Sequence, residues 1–228
     1  MIDPTSTIVI LVLATLLPFI IAAGTCYLKF SIVFVMVRNA LGVQQVPSNM
    51  VLNAIALVMA LFVMTPVIKN VYEYSVQNPI EFSDPESLDN FIDGSLGGYK
   101  HYLQKYSDPE LLAFFEEIQG KGSEFNGDTA TTVSLENEGD ADSKSLFSLL
   151  PAYALSEIKA AFIIGFYLYL PFVVIDLVVS SILLALGMMM MSPITLSVPI
   201  KLILFVALDG WTLLSKGLVL QYIDLAGA

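Results

Sequence analysis

Seven ionised side chains stand inside long apolar stretches of this chain: Lys29, Glu157, Lys159, Asp176, Lys201, Asp209 and Lys216, with Arg38 closing the first stretch. A charge at the centre of a bilayer costs a few kcal/mol or more, so it normally faces a partner or a water-filled cavity. The near-balance of acids and bases favours ion pairing between helices or subunits over an ion or proton pathway. Glu157 and Lys159 are two residues apart and do not share a helical face, so each needs a partner on another helix or another subunit.

Two aspartates in apolar surroundings also raise an intramembrane aspartyl protease, in which paired carboxylates share a proton. Val174-Ile175-Asp176-Leu177 and Ala207-Leu208-Asp209-Gly210 lack the Gly-x-Gly-Asp segment that such enzymes carry. A relay through Asp176, Lys201 and Asp209 gives the other chemical alternative, an ion-coupled transporter. Cys26 and His101 are the chain's single cysteine and histidine, which leaves no disulfide framework and no zinc set. No nucleophile elbow, Walker loop or calcium loop is present, and neither a cofactor nor an enzymatic activity is expected.

Gly187-Met188-Met189-Met190-Met191-Ser192-Pro193 is the other unusual signal. Methionine is unbranched and polarisable, so consecutive copies can fill an irregular gap and re-pack when its shape changes. Four in a row cannot lie on one helix face. As core or lipid-facing filler they need no function; as a ring repeated around an axis they would form a soft constriction.

The elements that must position these groups follow from composition and hydropathy. The chain has 228 residues, 56% apolar and 14% charged, with a mean hydropathy of +0.76. A soluble domain is about 45–50% apolar and about 25% charged, so a soluble cytosolic enzyme is excluded in favour of lipid or a largely buried assembly. Residues 70–145 hold 16 of the 21 acids and 4 of the 10 bases, so the net charge of −11 belongs to that block. No basic cluster exists to replace counterions, and nucleic acid is excluded as a partner.

Three stretches result: an apolar helical hairpin at 1–69, an acidic insert at 70–145 and apolar helices at 146–228. Ile8–Val37, read as one helix, would be about 45 Å long against a hydrocarbon core of about 30 Å, so it must tilt, break near Gly24 or stand partly outside lipid. Arg38–Asn49 reads as a turn with Ser48 or Asn49 capping a helix over Met50–Ile68. Within the insert, Ser-Asp-Pro-Glu occurs at Ser83–Glu86 and Ser107–Glu110, and each copy should open a short amphipathic helix. Lys121–Lys144 reads as a mobile loop. The C-terminal apolar runs are divided by Asp176, by Met191-Ser192-Pro193 and by Asp209-Gly210. The sole base of the short first loop, Arg38, places it in the cytoplasm and the insert on the periplasmic side.

Arg38–Asn49, Leu149–Lys159, Leu170–Leu177, Gly187–Pro193 and Pro199–Trp211 together resemble the FliP/SctR family, core export-apparatus subunits of bacterial type III secretion systems and flagella. The resemblance covers nearly the whole chain outside the insert. Phe166–Pro171 and Met188–Pro193 are closest to the virulence-associated, SpaP-type injectisome branch.

The resemblance implies an all-α membrane-associated protein that assembles as a helical ring. Five copies would join a small two-helix subunit and a larger single-copy subunit, forming a pore for unfolded secreted proteins in the bacterial inner membrane. It further implies that these helices pack against each other largely above the membrane plane, that the embedded charges pair between subunits, and that Met188, Met189 and Met190, with Met191 adjacent, form a gasket. Members usually carry a polar or charged residue where this chain has Ile163, so an ion pair at that position is not carried over.

Overall fold

The computed structural model describes residues 11, 12, 15, 18–43, 45–77, 85–125, 146–188 and 190–222, and among them every regular element is a helix, joined by turns and bends. Chain order gives α1 (Pro18–Gly24), α2 (Tyr27–Ala40), α3 (Asn49–Val63), α4 (Thr65–Gln77), α5 (Pro85–Tyr106), α6 (Pro109–Phe125), α7 (Leu146–Ala185), α8 (Pro193–Ala207) and α9 (Gly210–Leu220). Two compact units emerge: residues 1–25 with 64–157, and residues 26–63 with 158–228.

In the first unit the insert's helices begin where the repeated tetrapeptide predicts. Pro85 and Pro109 are the first residues of α5 and α6, positions at which a missing N–H costs nothing. Asp108 caps α6, its Oδ1 accepting the N–H of Glu110 at 3.1 Å. At 22 and 17 residues these helices are longer than the short ones expected. The core is aromatic: Tyr102, Leu103, Leu149 and Tyr153 are buried, the Tyr102 and Tyr153 hydroxyls are hydrogen-bonded, and Tyr99 donates to the Gly24 carbonyl at 2.9 Å. Ser156 Oγ accepts the N–H of Asp108 at 2.7 Å, tying the start of α6 to α7. The loop expected at Lys121–Lys144 lies, from residue 126 on, outside the described residues.

The second unit is the apolar body. α2 buries Phe30, Val33, Phe34 and Val37, the i, i+3, i+4, i+7 stripe of a core-facing helix. α3 answers with Leu52, Ala56, Ala60 and Val63, whose small residues let the two backbones approach closely. Ser31 Oγ donates across the pair to Asn53 Oδ1 at 2.7 Å. α7 reaches α2 in the same way: Ala161 is fully buried, and a Cβ at Gly165 would lie 2.3 Å from Met36 Sδ. Phe205 packs edge-on against Trp211 at 5.3 Å between ring centroids.

Breaks fall where the chain cannot continue a helix. The first apolar run stops at Thr25-Cys26, beside the Gly24 at which a break was expected. The helix expected over Met50–Ile68 divides at Met64, and Pro66 takes a place in the first turn of α4, where it is tolerated. Asp176, in contrast, does not divide its run: α7 is continuous for 40 residues, about 60 Å at 1.5 Å per residue. A charge does not by itself end a helix, and the cost of this one in an apolar run is offset by Lys201. Ser148–Ala185 is the one described helix long and apolar enough to cross a membrane, or one of up to four if the helices flanking each break count as one span.

Candidate functional site

The methionine run forms the tip of the hairpin between α7 and α8, and a glycine cap holds it there. Gly187 adopts φ 74°, a left-handed conformation that glycine enters without penalty. Its N–H bonds to the Leu184 carbonyl and that of Met188 to the Leu183 carbonyl, both at 3.0 Å. This paired pattern is the Schellman termination of a helix. Met191 N–H reaches back to the Met188 carbonyl at 3.3 Å. Ser192 is extended, with Pro193 opening α8. The thioethers consequently face outward: Met190 is fully exposed, and Met188 and Met191 are each about two-fifths exposed. Met189, the remaining residue of the expected gasket, lies outside the described residues.

Asp176 and Lys201 come together in an ion pair across this hairpin. Lys201 Nζ donates to Asp176 Oδ2 at 2.6 Å and to the Ala40 carbonyl at 3.2 Å. Asp176 stands nine residues before the end of α7 and Lys201 eight residues after the start of α8. Both are thus about 12–14 Å along their helices from the loop, which is why an antiparallel pair brings them level. Ala40 ends α2, where carbonyls lack intrahelical partners and the helix dipole favours a cation. One ammonium therefore ties α2, α7 and α8. Its side chain is only 6% exposed, against 41% for Asp176. A cavity of about 320 Å³ adjoins the pair, with Asn39, Tyr169 and Ser197 in its walls.

The other embedded charges are dispersed. Lys29 lies over the Tyr222 ring, 4.7 Å from its centroid. Arg38 donates to Asn49 Oδ1 at 2.5 Å and to the Pro47 carbonyl at 3.3 Å, closing the turn into α3. Ser48 then serves as the cap of α3, accepting the Val51 N–H at 3.4 Å. Glu157 is fully buried and belongs to the first unit, whereas Lys159 is exposed. Asp209, at φ 50°, stands at the N-cap position of α9 without a side-chain bond to the backbone there and accepts the Thr212 hydroxyl at 2.9 Å. Lys216 is exposed on α9.

Residue types alone did not reveal the Ala40 carbonyl as a ligand of Lys201, because backbone acceptors leave no trace in a sequence. Asn49 as the acceptor of Arg38 was hidden behind its competing role as a helix cap. Met191-Ser192-Pro193 was the visible signal for the loop, and Pro193 does open α8.

Among the described residues, much of the apolar surface is exposed. Along α7, Phe162, Phe166, Tyr167, Val174, Leu177 and Leu184 are more than half exposed. A further apolar cavity of about 400 Å³ opens among Val37, Leu168, Phe172, Phe205 and Leu214. Contiguous apolar exposure on this scale marks contact with lipid or with other protein surfaces.

Comparison with known proteins accords with this architecture. The FliP family profile matches residues 10–218. The chain is 62% identical over 225 residues to the "Surface presentation of antigens protein SpaP" of Shigella flexneri, covering 99% of each chain. It is likewise 62% identical over 221 residues to the protein of that name from Salmonella typhi, 97% of each chain. The "Yop proteins translocation protein R" of Yersinia pestis is 44% identical over 223 residues, 96% of this chain and 97% of its own. A membrane-associated chain of apolar helices that matches over nearly its whole length, the protein belongs to the FliP family of type III export-apparatus subunits, in the SpaP-type branch.

Proposed function

We propose that this chain is the pore-forming subunit of a type III secretion export gate. Five copies join a small two-helix subunit and a larger single-copy subunit, and the assembly passes unfolded secreted proteins across the bacterial inner membrane. The chain is multi-pass by hydropathy, with the acidic insert on the periplasmic side. Met188–Met191 form a gasket that limits ion leakage and yields to a passing polypeptide.

The observation that supports this reading is a loop of outward-facing thioethers, fixed by a glycine cap and by an ion pair across its hairpin, in a chain 62% identical to surface-presentation proteins. Flexible sulfur side chains on a rigid base can change shape without moving the scaffold. Exposed apolar helices supply the surface by which copies hold each other.

Replacing Met188, Met190 and Met191 by alanine in the assembled complex, reconstituted in a planar bilayer, should raise ion conductance severalfold while leaving the native mass unchanged. Unchanged conductance in an intact assembly rejects the gasket.

A further inference from the structure

α9 and the residue before it carry two exposed charges, Lys216 and Asp209. Lys216 is exposed and makes no ion pair or hydrogen bond among the described residues. Asp209 is exposed, and among the described residues its carboxylate hydrogen-bonds to the hydroxyl of Thr212, three residues on. Thr212 and Lys216 are four residues apart and share a helix face. The bond to Thr212 therefore places the Asp209 carboxylate on the face that Lys216 occupies. Seven residues separate the two charges, about 10 Å along the helix, too far to pair within one chain. Leu213 and Leu220 flank the stripe, 62% and 59% exposed.

The stripe is thus apolar, with one acid and one base at its two ends. In lipid each charge costs a few kcal/mol, and against a purely apolar partner each would be left uncompensated. A stripe with an acid at one end and a base at the other can offer its acid to one neighbour and its base to the next, so the partner that matches it is another copy of this chain in the head-to-tail contact a ring requires. We propose that the α9 stripe is a contact between adjacent copies, with Asp209 of one copy paired to Lys216 of its neighbour. The proposal rests on the reading that copies of the chain assemble.

Two neutralising variants test it: Asp209→Asn, which tolerates the left-handed backbone and keeps an acceptor for Thr212, and Lys216→Met, which keeps the stem. Each alone should lower the yield of assembled complex at least tenfold by native mass. The double variant, with no uncompensated charge, should recover most of it. Separately, copies carrying Asp209→Cys co-expressed with copies carrying Lys216→Cys should form a 209–216 disulfide on mild oxidation; the native Cys26 is buried and does not interfere. Normal assembly of both single variants, failure of the double to recover, or disulfides to a different subunit in place of a copy would each overturn the pairing. If the unaltered protein is itself a monomer, the proposed function fails first, and native mass separates that result from failure of the pairing.

Discussion

Breaking the Asp176–Lys201 pair from its two sides should give unequal results, because the two partners are unequally buried. Asp176→Asn keeps an amide oxygen beside the Ala40 carbonyl as acceptors but leaves an ammonium that is 6% exposed without its counter-charge. Stranding a buried charge costs about 3–5 kcal/mol. Lys201→Met leaves a carboxylate that is 41% exposed and can turn to solvent, so the loss is chiefly that of a charge-assisted hydrogen bond, about 1.5–3 kcal/mol, reduced further by solvent screening. The double variant Asp176→Asn with Lys201→Met removes both charges and should lie close to the single Lys201→Met, since no buried charge remains. For a chain of this length each kcal/mol moves the midpoint by about 2–4 °C. The expected losses are therefore roughly 10 °C or more for Asp176→Asn and about half that or less for Lys201→Met. Trp211, the chain's single tryptophan, packs on Phe205 in the same unit, so its fluorescence during thermal unfolding in detergent reports the transition directly. If Lys201→Met proves as damaging as Asp176→Asn, the two charges do not differ in burial and the asymmetry argument is refuted.

Two further outcomes follow from backbone geometry and titration. Gly187→Ala should cost about 1 kcal/mol, since its added Cβ meets nothing within 4 Å and only the positive φ opposes it; Gly42→Ala, with φ 77° and a Cβ 2.7 Å from Val198 Cγ2, should cost clearly more in the same unfolding assay. Burial pushes the Tyr99 phenol well above its ordinary value of about 10. Folding therefore favours its neutral form, so its contribution is complete below about pH 10 and is lost as pH rises further. Tyr99→Phe should flatten the alkaline limb of stability against pH, at a cost of about 1 kcal/mol for the bond to the Gly24 carbonyl; an unchanged alkaline limb would show that another group sets it.

Local chemistry was legible wherever it acts over one or two helical turns. The prolines and aspartates of Ser-Asp-Pro-Glu mark the starts of α5 and α6 because a cap and a first-turn proline are decided by neighbours in sequence. Pro193 after Ser192 marks the start of α8 for the same reason, whereas the end of α7 at Ala185, ahead of Gly187, falls before the break expected at Met191-Ser192-Pro193. Met50–Ile68, read as one helix interrupted only by Pro66 near its end, divides at Met64, whereas the apolar runs on either side of Asp176 join in one helix. Whether a charge is tolerated, or a kink inserted, depends on what packs alongside, and hydropathy carries no such information.

By itself, the sequence determined an all-helical, apolar, membrane-associated chain with one acidic block and a methionine turn, since composition and periodicity decide which residues must leave water. Only the tertiary structure decided that Lys201 would find Asp176 and the end of α2, that Arg38 would close its turn on Asn49, and that Asp209 and Lys216 would share one exposed face of α9. Ion pairs reach only a few ångströms, so their partners are chosen by the path of the backbone through space and not by their order along it.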